Sequence, residues 1–380
     1  SGKVDRKALP VPEKGRSEAV DYVAPRTLLE EQMAQIWAEV LGLERVGVMD
    51  NFFDLGGHSL LAVQVLARMR TELQKSLPLG SFFKTQTVAE MAKLIGGDEQ
   101  QESRYLVPIR TTGTRSPLFC FHPGGGEVLM YRALANSLSK DLPIYGLQSQ
   151  AIEGTLPEHE SIEAMAREYT VALRRQQPEG PYYLLGWSMG GAIAMAVASE
   201  LERAQQKVAF VGLLDTYLTS AEEMPPEVDP LHGLGLVMEA ALARTAVILS
   251  QEERESLQQT VLALPDQEKI PYVLAWGKER QVLPEGLSLE VLLAQASLAN
   301  THRVLFNEYT APIIDAPLAI WWAREPLDGS ENETPGHTNW EIYTKGGIQE
   351  KTVEGNHFTM ISSSHVQVVA QQLQELLSTP

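Results

Sequence analysis

The chain is poor in cysteine, in basic charge and in long apolar runs, and each shortage removes a class of protein. One cysteine in 380 residues leaves no disulfide possible within the chain. That residue, Cys120, lies between Phe119 and Phe121 in an apolar run, which predicts a buried strand position rather than a reactive thiol. Lysine and arginine number 31 against 49 acidic residues, a formal net charge of -18. That balance excludes a large electrostatic footprint for nucleic acid or for an anionic membrane surface. No stretch approaches the roughly 20 continuous apolar residues of a membrane span, and SGKVDRKALP at the start has no apolar signal core. Both absences point to the reducing cytoplasm. There is no internal repeat, no low-complexity tract and no metal-ligand spacing such as H-E-x-x-H.

What is present is the composition of ordinary soluble protein, 44% hydrophobic and 21% charged, at a length that predicts two or three domains. Residues 1–24 are rich in charge and proline and read as a tail or linker. Residues 25–96 carry the periodicity of a small helical bundle. Thr27 and Glu30 have capping-box spacing, after which Leu29, Met33, Ile36, Trp37, Val40 and Leu41 form one apolar helix face that Gly42 stops. A second helix is predicted from Ser59 through Leu66, Met69 and Leu73, and a third from Thr87, boxed with Glu90. Residues 97–104, inside GGDEQQESR, have linker composition.

From residue 105 to 380 short apolar runs alternate with helical ones. Strands are predicted at Leu118–Phe121, Ile144–Leu147, Tyr182–Leu185, Val208–Leu214 and Leu318–Trp322, with a helix through Ile162, Met165, Ala166, Tyr169 and Leu173. Such alternation implies an α/β domain with a parallel sheet. Between about 217 and 309 the rhythm gives way to helical segments such as LVMEAALARTAVIL and a third capping-box spacing at Ser250 and Glu253. An insertion of that length over the carboxyl edge of the sheet would be a lid.

Gly186-Trp187-Ser188-Met189-Gly190 fits G-x-S-x-G between an apolar run and a run of small residues. Strand, sharp turn and helix is the context that lifts a serine hydroxyl clear of the backbone. A serine needs a histidine base, and that histidine needs a carboxylate to hold its tautomer. In an α/β-hydrolase the acid and then the histidine follow the serine. His337, His357 and His365 remain once the histidine of the helical bundle and the early and insertion histidines are set aside; His357, in EGNHFTM before the last helix, occupies the loop where the base belongs. His365 reads as the start of that helix. Two acids compete, Asp215 at the end of VAFVGLL and Asp328 after AIWWARE, and fold geometry does not separate them. The oxyanion donors are expected to be the backbone N–H of Met189 and one from FHPGGG.

A second serine, Ser59, follows Gly56 and Gly57 at a helix start, a setting that favours the negative charge of a phosphodiester on its oxygen. The string DNFFDLGGHSLL, Asp50 to Leu61, resembles the peptidyl carrier domains of nonribosomal peptide synthetases. The resemblance implies 4′-phosphopantetheine on Ser59, installed by a phosphopantetheinyl transferase. SGKVDRKALP is similar to the closing motif of an adenylation domain, with Lys3 at the position of that motif's lysine. Residues 105–380 look like the type I thioesterases that terminate nonribosomal peptide and polyketide synthases, through FHPGGG, LLGWSMGG, LLDTY and GNHFTM in order. That resemblance implies Asp215, 27 residues beyond Ser188, as the acid, and Gly124 as the second oxyanion donor with Gly125 as the alternative. It further implies upstream adenylation and condensation domains as partners and a peptidyl or acyl thioester as substrate. An editing hydrolase and a non-catalytic docking module are the competing readings. The 169 residues between Ser188 and His357 exceed what compact members of that family need.

Overall fold

The first helix starts where Thr27 turns the chain. Its hydroxyl accepts from the Glu30 N–H at 3.1 Å, and α1 (Leu28–Leu41) runs until Gly42 takes a left-handed φ of 68°. The capping box expected here is only half formed, because the Glu30 carboxylate takes the Arg26 backbone N–H at 2.7 Å and its guanidinium at 2.8 Å. The boxes at Thr87 and Ser250 are reciprocal. The computed structural model describes residues 22–73, 75, 77, 79–95, 105–153, 159–218, 230–245, 247, 249–325, 338–362 and 365–377. Lys3, the segment 97–104, Asp328 and His337 lie outside them.

Helices α2 (Ser59–Glu72), α3 (Ser81–Lys84) and α4 (Val88–Ile95) complete the bundle with α1. Its centre is aromatic. The Phe52 ring lies 4.9 Å from that of Trp37 and 4.6 Å from that of Phe82, and all three side chains are fully buried. The single turn α3, which periodicity cannot detect in four residues, brings Phe82 into this cluster.

Beyond the bundle come β1 (Leu106–Arg110), β2 (Leu118–Phe121), α5 (Tyr131–Ser137), β3 (Ile144–Leu147), α6 (Ile162–Gln176), β4 (Tyr182–Trp187), α7 (Met189–Arg203) and β5 (Val208–Leu214). Then follow α8 (Pro230–Arg244), α9 (Gln251–Ala263), α10 (Asp266–Glu279), α11 (Leu289–Asn307), β6 (Leu318–Ala323), β7 (Ile348–Val353) and α12 (Val366–Leu377). The seven strands form one sheet in the order β1-β3-β2-β4-β5-β6-β7. It is mixed rather than wholly parallel: β1, which the apolar pattern did not reveal, pairs antiparallel with β3, and all other pairs are parallel. β1 and β7 are the edge strands, and only one residue of each is buried, so neither needs the continuous apolar run of an interior strand.

From β2 the chain moves outward to β3 and returns to β4 on the other side of β2, so the strand order switches between β2 and β4. In open α/β sheets the crevice at the carboxyl ends of strands beside such a switch is where ligands bind. Helix α7 packs tightly there. A Cβ at Gly190 would lie 2.4 Å from the Phe121 carbonyl oxygen, and one at Gly191 would lie 2.1 Å from Thr216 Oγ1.

Helices α8 to α11 occupy the stretch between β5 and β6. Helix α8 ends at Arg244, so the tail of LVMEAALARTAVIL falls outside it; the hydroxyl of Thr245 donates back to the Leu242 carbonyl and closes the last turn. Gly233 lets α8 cross α11 closely, since a Cβ there would sit 1.8 Å from the Ala296 carbonyl oxygen. The bundle rests on this segment through α2. Leu61, Val65 and Met69 face the bundle's own core, whereas Leu60, Val63 and Ala67 pack with Leu234, Met238, Leu287 and Val291 of the inserted helices. Gln64 Oε1 accepts from the Ser288 backbone N–H at the start of α11, at 3.0 Å.

Candidate active site

Ser188 sits between β4 and α7 at φ 57° and ψ −130°, a conformation that L-residues rarely adopt. Packing holds it there. The Ser188 N–H donates to the Leu214 carbonyl at 2.9 Å, and the Thr216 hydroxyl donates to the Ser188 carbonyl at 2.8 Å. Gly186 is obligatory, because a Cβ would fall 2.0 Å from the Gly190 carbonyl carbon. Tyr131 ties the turn to the neighbouring strand: its hydroxyl donates to the Phe121 carbonyl at 2.7 Å and accepts from the Trp187 N–H at 2.9 Å.

Asp215 follows β5 at the same sheet edge, also at positive φ, 47°. Its carboxylate is almost fully buried and fully engaged. Oδ2 accepts from His357 Nδ1 at 2.7 Å, while Oδ1 accepts from the Tyr217 hydroxyl and the Ala323 N–H, each at 2.8 Å. Burial, and then the adjacent Asp215 charge, push the Tyr217 phenol well above its ordinary range, so it stays a donor. His357 is held from its other side by Trp187, whose indole N–H donates to the His357 carbonyl at 3.0 Å, the two rings lying 5.2 Å apart. With Nδ1 donating to Asp215, the neutral ring keeps Nε2 as an acceptor.

Ser188 and His357 line one cavity of about 100 Å³ together with Gly124, Gly125 and Trp187. The bundle contributes Ser59, Leu60 and Val63 to its lining, and α8 and α11 contribute Leu236, Val237, Gln295 and Ala299. The structure therefore brings Ser59, Ser188, His357, Gly124 and, through the His357 ring, Asp215 into one site; Met189 is the first residue of α7, directly beside Ser188. His365 does not join them, as its Nδ1 donates to the Thr359 carbonyl at 3.1 Å ahead of α12. Cys120 is fully buried, and burial pushes its thiol up.

Around Ser59 the two glycines serve the fold of the loop itself. Gly56 has φ 92°, and a Cβ at Gly57 would lie 2.3 Å from the Phe52 ring. Ser59 opens α2 half-buried, its hydroxyl at a helix N-terminus. Among the described residues, no group of three or more His, Cys, Asp or Glu side chains could hold a metal, and no helix is long and apolar enough to cross a membrane.

Several contributors had no signal of their own in the sequence. Thr216 and Tyr217 stand next to the acid in LLDTY but are ordinary polar residues until β5 and α7 are placed side by side. Trp187 lies inside G-x-S-x-G at a position the motif leaves open.

Mixed sheet, strained serine turn and a histidine–carboxylate pair at one edge define an α/β-hydrolase-type domain, joined here to a helical bundle bearing a second serine. The chain belongs to the thioesterase family: the thioesterase domain model matches residues 116–377, and the phosphopantetheine attachment site model matches residues 31–95. It is 42% identical to malpinin synthetase of Mortierella alpina over 99% of its length, and 44% identical to a dimodular nonribosomal peptide synthase of Bacillus subtilis over 62%. It covers 4% and 10% of those relatives, so it spans only a small part of the proteins it matches. A solved four-domain nonribosomal peptide synthetase, in its holo form with AMP and glycine, superposes on the whole chain with a TM-score of 0.65 at 25% identity, 28% of that chain being covered. The Vlm2 thioesterase domain superposes on 74% of the chain, and over its own full length, with a TM-score of 0.52 at 22% identity. The chain thus joins a phosphopantetheine attachment domain to a thioesterase domain, its relatives include nonribosomal peptide synthetases, and the attachment domain implies covalently bound 4′-phosphopantetheine.

Proposed function

We propose that this chain is the releasing end of a peptide-assembly enzyme, in which residues 25–96 carry the acyl chain on Ser59 and residues 105–380 detach it through an ester on Ser188. The observation that carries this reading is the shared cavity, which Ser59, Ser188 and His357 all line. The residues present fit the prosthetic group, since Ser59, half-buried at the N-terminus of α2, lines the cavity rather than lying in packed core. When bound there, 4′-phosphopantetheine supplies a flexible reach and a terminal thiol that bears the acyl chain as a thioester.

The chain's own residues then do the following. His357 Nε2 takes the Ser188 proton as Oγ bonds to the acyl carbonyl carbon, and Asp215 stabilises the resulting imidazolium and keeps Nδ1 as its donor. The negative charge that develops on the carbonyl oxygen is met by the N–H groups of Met189 and Gly124 and by the positive end of α7. His357 then holds the proton that it would give to a leaving thiol, so that the acyl group would remain on Ser188. His357 next deprotonates water, or an amine or hydroxyl within the acyl chain, and the ester gives way to a free acid, a lactam or a lactone.

Helices α8 to α11 act as a lid that keeps bulk water from the ester, and the Leu236, Val237, Ala240 and Ala299 that they add to the cavity lining suit an apolar chain. Upstream adenylation and condensation domains and a phosphopantetheinyl transferase are the partners this role requires.

Ser188→Ala is expected to abolish release while Ser59 still accepts the phosphopantetheine arm and its load; Ser59→Ala is expected to block delivery but spare hydrolysis of small soluble thioesters. Intact-protein mass spectrometry reads both. Turnover of a loaded thioester by Ser188→Ala at the normal rate would refute the nucleophile.

A further inference from the structure

The loop after β2 is held by two histidines that the chemistry above does not use. His122 and His302 are both buried, and their rings stack with centroids 5.1 Å apart and planes at 26°. His122 Nδ1 donates to the Pro123 carbonyl at 2.8 Å, and the same carbonyl accepts from the Gly126 N–H at 2.9 Å. His122 Nε2 accepts from the Tyr169 hydroxyl at 2.7 Å. His302 Nδ1 donates to the Gly124 carbonyl at 2.8 Å, and this ring comes from α11, 178 residues away along the chain. Gly126, at φ 83°, lets the helix approach: a Cβ there would meet the Leu298 side chain at 3.1 Å.

The consequence lies in peptide geometry. A trans peptide points its N–H opposite to its C=O. Fixing the Pro123 carbonyl on His122 and Gly126 therefore turns the Gly124 N–H to the opposite side, and fixing the Gly124 carbonyl on His302 does the same for the Gly125 N–H. Both peptide planes flanking Gly124 are set by imidazole donors, at a residue that lines the cavity of Ser188. Gly124 has no side chain to brace it, and nothing lies within 4 Å of where its Cβ would be.

We propose that the stacked pair His122 and His302 positions the oxyanion donor of the Gly124 loop, and that His302 makes this donor depend on the placement of α11. This rests on the reading of Ser188 as nucleophile. The arrangement requires neutral rings, each with its proton on Nδ1. Burial provides that, pushing His302 down to about 4 and His122 well below the ordinary histidine range, the latter also through its neighbour His302. The helix thus has a second task besides covering the site. Only when α11 is seated is the loop peptide held in the orientation that stabilises charge, so donor and cover are assembled together. His302 is a positioning residue in this account, since it touches the loop and not the substrate.

The test compares His302→Leu, which removes the donor, with His302→Asn, whose amide nitrogen occupies nearly the place of Nδ1, in the full chain with a small soluble thioester. For His302→Leu, kcat is expected to fall about 10- to 100-fold with KM changed less than about twofold, the signature of an interaction made in the transition state. The affinity for an alkyl boronic acid, whose tetrahedral adduct on Ser188 places an oxygen at the oxyanion position, is expected to weaken by the same factor. His302→Asn is expected to recover most of both. If His302→Leu does not fold, Tyr169→Phe probes the other ring, with an expected loss of roughly threefold in kcat and in boronate affinity together. Full kcat in a folded His302→Leu or Tyr169→Phe protein, or a kcat loss that boronate affinity does not follow, overturns the proposal. So does a His302→Asn protein as impaired as His302→Leu. Ser188→Ala, run alongside, must be inactive; activity there would instead show that the nucleophile was misassigned.

Discussion

Two serines in this chain open helices of nearly equal length, α2 with 14 residues and α7 with 15, yet the chain enters the two helices in opposite ways. At Ser59 the preceding residue, His58, has an ordinary extended backbone, φ −147°, and the special conformation belongs to Gly56 upstream. At Ser188 the serine itself is in the left-handed region, and it is fixed by bonds from Thr216 and to Leu214. The histidine and carboxylate of the site, His357 and Asp215, pair at the sheet edge that carries Ser188. The difference matches the proposed division of labour. On that reading, a serine modified by a visiting enzyme needs only a firm, approachable helix start, whereas a serine that must itself attack needs strain, a base and an acid held in place by its own fold.

The largest expected effect sharpens this comparison on the Ser188 side. Asp215→Asn preserves size and the Tyr217 contact but invites the wrong His357 tautomer, and kcat is expected to drop by about four orders of magnitude. Steady-state kinetics with a soluble thioester measures it. The loading of Ser59 by a phosphopantetheinyl transferase is expected to be unchanged, because nothing at Ser59 relies on the acid. An equal defect in both reactions would erase the contrast between the two serines.

A smaller effect is expected where the two regions meet. Leu60 packs among Leu234, Met238 and Val291, while its neighbour Leu61 serves the bundle's core, so Leu60→Asp should weaken docking and leave the bundle folded. Release of a chain loaded on Ser59 is expected to slow roughly tenfold, the factor that about 1.4 kcal/mol of lost docking energy produces. Hydrolysis of soluble thioesters is expected to change less than release does, since Leu60 also lines the cavity of Ser188. Equal slowing of both reactions would mean that Leu60 supports the catalytic site rather than the meeting of carrier and hydrolase.

The sequence made the hydrolase half more legible than the carrier half for the same physical reason. G-x-S-x-G is a steric requirement, readable in Gly186 and Gly190, and interior strands such as Val208–Leu214 must be apolar on both faces. DLGGHS has no such local logic; its glycines fit Phe52 and a turn, and only resemblance assigned Ser59 a role. Edge strand β1 was hard to read because one buried residue leaves no pattern. Neither partner of the loop clamp could be read, since His302 meets Gly124 only after α11 folds back over the sheet. Asp328 and His337, the competing acid and base, lie outside the described residues, while Asp215 and His357 meet at 2.7 Å.

The most direct measurement of the central claim follows a single acyl group in time. With the chain loaded on Ser59, rapid quench and peptide mass spectrometry should show the acyl mass leaving the Ser59 peptide and appearing on the Ser188 peptide, at a rate unchanged by tenfold dilution. Transfer that slows in proportion to dilution, or product formed without acyl ever reaching Ser188, would contradict delivery between the two serines of one chain.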